Sequence, residues 1–105
     1  GWLTAIDASS GTIRWNYESP QPLLASITTT GGGLLITAEL TGDFVIFDAA
    51  NGAELYRFNT GAPNNGGNAV YSIDGKQYIA LMSGNTSAFW PTPPATGNVI
   101  IFALP

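Results

Sequence analysis

The sequence contains neither cysteine nor histidine. Disulfide bonds and thiol nucleophiles are therefore excluded, as are Ser-His or Cys-His catalytic pairs. Zinc sites built from the usual ligand set are excluded for the same reason. Carboxylates, amides, hydroxyls, aromatic rings and three basic side chains remain available for a functional site.

Basic residues are almost as scarce, since Arg14, Arg57 and Lys76 stand against seven acidic residues and give a net charge of −4. The positive surface that holds phosphate backbones is missing, so nucleic acid is not an expected partner. The acidity also argues against binding to anionic membrane surfaces. No apolar run approaches the length of a membrane-spanning helix, so no membrane span is expected.

Short β-type runs make up most of the chain. Runs of β-branched and aromatic residues alternate with clusters of glycine, asparagine, aspartate, proline and threonine, which is typical of strands joined by tight turns. Asp74-Gly75 is the sequence of a two-residue hairpin turn. The pattern predicts strands at residues 2–7, 12–17, 25–30, 33–38, 43–48, 53–59, 67–73, 76–83 and 97–103.

An internal repeat organises these strands. Asp7 and Gly11 recur 41 positions later as Asp48 and Gly52, and the aromatic residue Trp15 is followed at the same spacing by Tyr56. A third, partial copy at 97–102 aligns with 42–47 at an offset of 55. Four antiparallel strands per period of about 40 residues describe a blade of a β-propeller.

The predicted fold class is therefore all-β, with about two and a half four-stranded antiparallel propeller blades. Residues 1–23 are expected to end one blade, 24–59 to form a complete blade, and 60–105 to form the final blade. A proline-rich loop is expected at 84–96, within this final blade.

Residues 5–15, Ala-Ile-Asp-Ala-Ser-Ser-Gly-Thr-Ile-Arg-Trp, resemble the tryptophan-docking motif of the pyrroloquinoline quinone (PQQ) enzyme repeat, Ala-x-Asp-x-x-Thr-Gly-x-x-x-Trp. The copy at 46–56 keeps the aspartate and glycine and replaces tryptophan with Tyr56. Residues 30–36, 74–84 and 102–105 resemble segments near the C-terminus of quinoprotein alcohol dehydrogenases. The resemblance covers essentially the whole chain.

This resemblance implies an eight-bladed propeller, typically periplasmic, that carries PQQ and a calcium or lanthanide ion on its axis. It implies that the chain is the C-terminal part of a dehydrogenase oxidising alcohols or sugars. The family's metal ligands and catalytic aspartate lie in earlier blades, outside this chain. No catalytic or metal-binding residue is therefore assigned, and the isolated chain is expected to be inactive.

Three residues are candidates for contact with the cofactor. Trp90 lies near the position of a family tryptophan that contacts the quinone after a Ser-Gly turn, although here it follows Ala88-Phe89. Leu24 occupies the position of a second family tryptophan, and this replacement counts against intact quinone binding. Asn65, with its neighbour Asn64, could donate amide hydrogen bonds to a polar ligand, although a plain turn is the favoured interpretation.

Structural roles are expected for the remaining conspicuous side chains. Trp15 and Tyr56 are predicted to pack between blades, and the repeated aspartates Asp7 and Asp48 to cap turns. Glu39 and Asp43 flank a turn and could be cation ligands, but solvated turn charges are the favoured interpretation.

Two further functions remain open. Propeller repeats of this kind without cofactor serve as protein-interaction scaffolds in the bacterial envelope, and such a scaffold would explain the residue at position 24. Exposed sheet faces and strand edges would also favour association with identical copies. The expected partners are thus the remaining blades of a parent chain or further copies of this one.

Overall fold

A computed structural model describes residues 1–84, 90–92 and 95–104. Over these residues it is all-β, which confirms the predicted class, and the nine predicted strands are all present. Most of the predicted loop at 84–96 lies outside the described residues. The strands are β1 (Trp2–Ile6), β2 (Ile13–Glu18), β3 (Thr28–Thr29), β4 (Leu34–Ala38), β5 (Asp43–Asp48), β6 (Glu54–Asn59), β7 (Asn68–Ile73), β8 (Lys76–Ser83) and β9 (Asn98–Ala103).

The strands form three antiparallel sheets in chain order. The first sheet contains β1 and β2, the second contains β3 to β6, and the third contains β7 to β9. Neighbouring strands in each sheet are consecutive in the chain and antiparallel. The division into blades and the number of blades in a complete ring stay predictions.

No helix in the described part of the chain has the length and apolar character needed to cross a membrane.

The turns have the predicted chemistry. Asp74 and Gly75 have φ angles of 52° and 78°, the left-handed pair that a tight hairpin between β7 and β8 requires. The Asp7 carboxylate accepts the Ser9 backbone N–H at 2.9 Å, and Asp48 accepts the Ala50 N–H at the same distance. Bonds from the Ser9 hydroxyl, and then from the backbone, lower the pKa of Asp7 to about 2. Turn capping by both repeated aspartates is therefore confirmed.

The first and second sheets pack through alternating apolar side chains. Leu3 and Trp15 of the first sheet meet Leu35, Val45 and Phe47 of the second, and all five are buried. The Trp15 indole N–H donates to the Ala49 carbonyl at 3.0 Å, which satisfies its polar atom inside the interface. The prediction that Trp15 packs between sheets is confirmed.

The second and third sheets pack through a separate apolar cluster that includes Ile36, Phe44, Ile79 and Leu81. Phe44 stacks on Phe102 with ring centroids 4.4 Å apart. Tyr56 meets both rings edge-on, with centroids 6.3 Å from Phe44 and 6.4 Å from Phe102. Tyr56 therefore lies between these sheets as predicted, but 45% of it stays exposed, against 9% for Trp15.

Polar contacts join the innermost strands of the second and third sheets. Asn68 at the start of β7 donates its backbone N–H to the Ser26 hydroxyl at 2.8 Å and its side-chain amide to the Ser26 carbonyl at 3.0 Å. The Thr28 hydroxyl donates to the Asn68 side-chain oxygen. These hydrogen bonds join the two sheets near β3 and β7, while the apolar cluster joins their faces.

Gly52 lies against the ring of the docked tryptophan. Its φ is 76°, and a Cβ atom at this position would lie 2.6 Å from two ring carbons of Trp15. The repeat-equivalent Gly11 has nearly the same φ, 73°, but its Cβ would meet nothing within 4 Å. Substitution of Gly11 therefore tests only the need for a positive φ, whereas substitution of Gly52 also tests the packing of Trp15 on this turn.

We expect Gly11→Ala to lower the free energy of unfolding by about 1 kcal/mol, the cost of a left-handed alanine. Gly52→Ala should lower it by about 3 kcal/mol, because the steric overlap with the indole ring adds to the same backbone cost. Urea unfolding followed by circular dichroism measures both. Equal losses in the two variants would contradict the docking of Trp15 on Gly52.

Candidate functional site

A buried carboxylate lies at the interface of the first two sheets. Glu39 follows β4, and only 1% of it is exposed. Its Oε1 accepts the Tyr17 hydroxyl at 2.6 Å, and its Oε2 accepts Arg57 Nη1 at 2.8 Å. Because Tyr17 belongs to β2, and Arg57 belongs to β6, this carboxylate connects the first sheet to the outer strand of the second.

Arg57 is the centre of the network. Its guanidinium donates to Glu54 at 2.6 Å, to Asp43 at 3.0 Å and to the Tyr17 hydroxyl at 3.0 Å, in addition to Glu39. The hydrogen bonds that Arg57 donates to Glu54 make the largest contribution to raising the pKa of Arg57. The guanidinium therefore remains charged and holds three carboxylates that would otherwise repel one another.

The contacts of the network also shift the pKa values of Tyr17 and Asp43. Burial, and then the bond to Glu39, raises the pKa of Tyr17, so it stays a neutral hydroxyl donor. Burial also acts to raise the pKa of Asp43, but bonds from Asn59, Thr41 and Arg57 outweigh it, and the net shift is downward. Asp43 is therefore an ionised acceptor.

The prediction that Glu39 is a solvated turn charge is wrong. The turn between β4 and β5 is covered by Tyr17 from the neighbouring sheet, and this removes the carboxylate from water. A buried carboxylate needs a partner, which Arg57 supplies. In the described ranges there is no group of three or more acidic side chains arranged to hold a metal ion.

We expect Arg57→Leu to lower the free energy of unfolding by about 3 kcal/mol, because it leaves Glu39 buried without its charge partner. Arg14→Leu is the matched control, since Arg14 is exposed on β2, and its effect should be within about 0.5 kcal/mol of zero. Thermal or urea unfolding of both variants tests this. Similar small effects in the two variants would show that the buried network contributes nothing to stability.

The three predicted cofactor contacts occupy different environments. Trp90 is 41% exposed and Leu24 is 38% exposed, whereas Asn65 is half-buried. One end of the structure has a cavity of about 280 Å³ between the turn after β4 and the link after β6, with Thr41, Asn59 and Pro63 among its walls. The described residues that line this cavity do not include the three candidates. Their role in cofactor binding stays a prediction.

Asn64, the neighbour of Asn65, has a structural role that the sequence pattern did not reveal. Its side chain is fully buried and donates to the Thr60 hydroxyl at 3.3 Å. The Ser83 hydroxyl, at the end of β8, also donates to Thr60, at 2.8 Å. The Gly84 N–H donates to the Pro63 carbonyl at 2.8 Å. These bonds anchor the end of β8, where the segment that carries Trp90 begins.

The described residues fit a quinone site only in part. PQQ is a planar ring system that bears carboxylates, so it calls for an aromatic surface and for cationic partners. Trp90 can offer the aromatic surface. Arg57, however, is committed to Glu39, Asp43 and Glu54. The remaining partners of the cofactor, and any metal ligands, would have to come from other blades.

The fold and its interfaces define a segment of a β-propeller, with sheets stacked face to face in chain order. No family model matches the sequence. The chain is 36% identical, over 84 residues and 80% of its length, to the dehydrogenase subunit of a quinone-dependent alcohol dehydrogenase from Acetobacter aceti. It has the same identity and coverage with a quinoprotein ethanol dehydrogenase from Pseudomonas aeruginosa.

A structural comparison agrees with these sequence matches. The crystal structure of quinohemoprotein alcohol dehydrogenase from Comamonas testosteroni superposes on 97% of this chain with a TM-score of 0.87 and 25% identity. The chain belongs to the quinoprotein alcohol dehydrogenase family. It spans only 11% and 14% of the two sequence relatives and 16% of the solved structure, so it corresponds to a small part of their propellers.

Proposed function

We propose that this chain supplies C-terminal propeller blades to a PQQ-dependent dehydrogenase that oxidises alcohols or sugars in the periplasm. The observation that carries the proposal is the 36% identity to quinone-dependent alcohol dehydrogenases over 80% of the chain. Fold alone would not define an activity, because propellers support many unrelated functions. The sequence identity supports this particular one.

When bound, PQQ would supply the redox chemistry by accepting the electrons removed from the substrate. Calcium or a lanthanide would be held by residues outside this chain. This chain contributes end loops that surround the cofactor site on the propeller axis and exclude water from that site. In this account Trp90 provides a ring for stacking against the cofactor, and Asn65 provides an amide donor.

The anchoring of β8 supports this role for Trp90. The bonds from Ser83 to Thr60 and from Gly84 to Pro63 tie the end of the strand to the preceding link. A binding side chain is effective when the element that carries it is held rigidly by its own surroundings. The structure provides that support at the start of the segment.

The test uses the complete polypeptide that contains this segment, loaded with PQQ and calcium or a lanthanide. We expect alcohol-dependent reduction of an artificial electron acceptor. Trp90→Ala should weaken PQQ binding about tenfold, the value of one lost ring contact. Leu24→Trp should tighten it, because it restores a ring at the family position. Lys76→Ala, at an exposed hairpin turn, is the control and should leave binding unchanged.

Two results would count against the proposal. A complete polypeptide that binds no PQQ and reduces no acceptor would favour the alternative, a non-catalytic scaffold for protein interactions in the bacterial envelope. Full activity with unchanged PQQ affinity in Trp90→Ala would keep the dehydrogenase function and remove the role of this tryptophan. Equilibrium titration with PQQ, monitored by fluorescence quenching, measures the affinity for PQQ and so distinguishes these two results.

A further inference from the structure

The turn between β5 and β6 carries a chemically reactive pair of residues. Asn51 is exposed and is followed by Gly52. Glycine has no side chain to hinder its backbone nitrogen, so this nitrogen can reach the amide carbon of the asparagine before it. Asparagine is one of the residues that limit the chemical lifetime of proteins. The sequence alone therefore marks Asn51 as a site of deamidation.

Deamidation of Asn51 needs no reactant except water. The Gly52 nitrogen loses its proton and bonds to Cγ of Asn51, and the side-chain nitrogen takes a proton and leaves as ammonia. Water then opens the cyclic imide at one of its two carbonyl carbons. One product is aspartate. The other is isoaspartate, in which the main chain runs through the former side chain and is one carbon longer.

The folded turn opposes the first of these steps. Gly52 donates its N–H to the Asp48 carbonyl at 2.8 Å. Oδ1 of Asn51 accepts the Ala53 N–H, also at 2.8 Å. Because the Gly52 nitrogen must lose its proton and turn toward Cγ, its bond to Asp48 has to break first. The reaction therefore requires local opening of the turn.

A ring from the first sheet holds this turn closed. A Cβ atom at Gly52 would lie 2.6 Å from two ring carbons of Trp15, so the ring lies directly against the Gly52 backbone. Trp15 is 9% exposed, and its indole N–H donates to the Ala49 carbonyl at 3.0 Å. Close-packed atoms leave no room for the turn to rearrange beneath the ring. Opening of the turn thus requires that the ring leave it.

We propose that Asn51 is a latent modification site that is protected by the docked Trp15. When the first sheet leaves the second, the turn opens and Asn51 converts to aspartate or isoaspartate. The isoaspartate form cannot rebuild the docking surface, because the added backbone carbon displaces Gly52 from Asp48 and from the ring. Modification thus makes undocking irreversible. The proposal involves neither PQQ nor a metal, so it stands or falls independently of the proposed function.

Ageing of the purified chain at mildly alkaline pH, followed by tryptic digestion and mass spectrometry, tests the protection. The digest places Asn51 in peptide 15–57 and Asn65, which belongs to the second Asn-Gly pair, in peptide 58–76. We expect Trp15→Ala to speed the loss of Asn51 about tenfold and to leave the rate at Asn65 within about twofold of its original value. Unfolding of the original chain in urea should speed the loss of Asn51 at least as much.

Tyr56→Ala is the matched control. It removes the repeat-equivalent ring, which packs against Phe44 and Phe102 between the second and third sheets. The rate at Asn51 should then stay within about twofold of that in the original chain. The proposal is overturned if Tyr56→Ala speeds the loss of Asn51 as much as Trp15→Ala does. It is also overturned if Trp15→Ala has no effect on Asn51.

A second measurement requires no substitution of Trp15. The isoaspartate form is separated from the aged chain by chromatography, and NMR follows exchange of its indole protons. We expect the indole N–H of Trp15 to exchange about tenfold faster than in the unmodified chain. Asn51→Asp introduces the same charge without the added backbone carbon, so it should keep the slow exchange. Slow exchange in the isoaspartate form would show that the modified turn still holds the ring, and irreversible undocking would be refuted.

Discussion

The docking of one aromatic ring on the next sheet is the interaction on which this structure depends. Trp15 is held by a hydrogen bond to Ala49 and by contact with Gly52, both in the turn of the following repeat. A short sheet cannot bury its faces alone, so each repeat is stable only against a neighbour. The turn between β5 and β6 thereby forms the surface on which the first sheet packs.

Burial of the second sheet on both faces explains the charged network. A polar side chain at the edge of a sheet that is covered on both faces is removed from water, and the Glu39 carboxylate accepts hydrogen bonds from partners in two sheets. Removal from water offsets much of the attraction within such a pair, whereas loss of one partner is costly because it leaves the other buried and unpaired. The network thus links the first sheet to the second through Tyr17, Glu39 and Arg57.

Much of the fold could be predicted from the sequence, because strand alternation and the repeat are local signals. The extent of β3 could not, since Ser26 donates its backbone N–H to Gly66 of the next repeat rather than continuing the strand. The burial of Glu39 was missed for a similar reason, as Tyr17 and Arg57 lie far from it in the chain. The cofactor contacts Trp90, Asn65 and Leu24 stay predictions, because a quinone site on the axis needs several blades at once.

The central claim is that consecutive sheets are joined by a docked tryptophan, and exchange of the indole protons tests it most directly. Trp15 is buried and hydrogen-bonded to Ala49, whereas Trp2 is 62% exposed on the same sheet. NMR of the nitrogen-15-labelled chain should show an indole N–H of Trp15 that exchanges much more slowly than that of Trp2. Equal exchange at the two rings would contradict the stacking of the sheets.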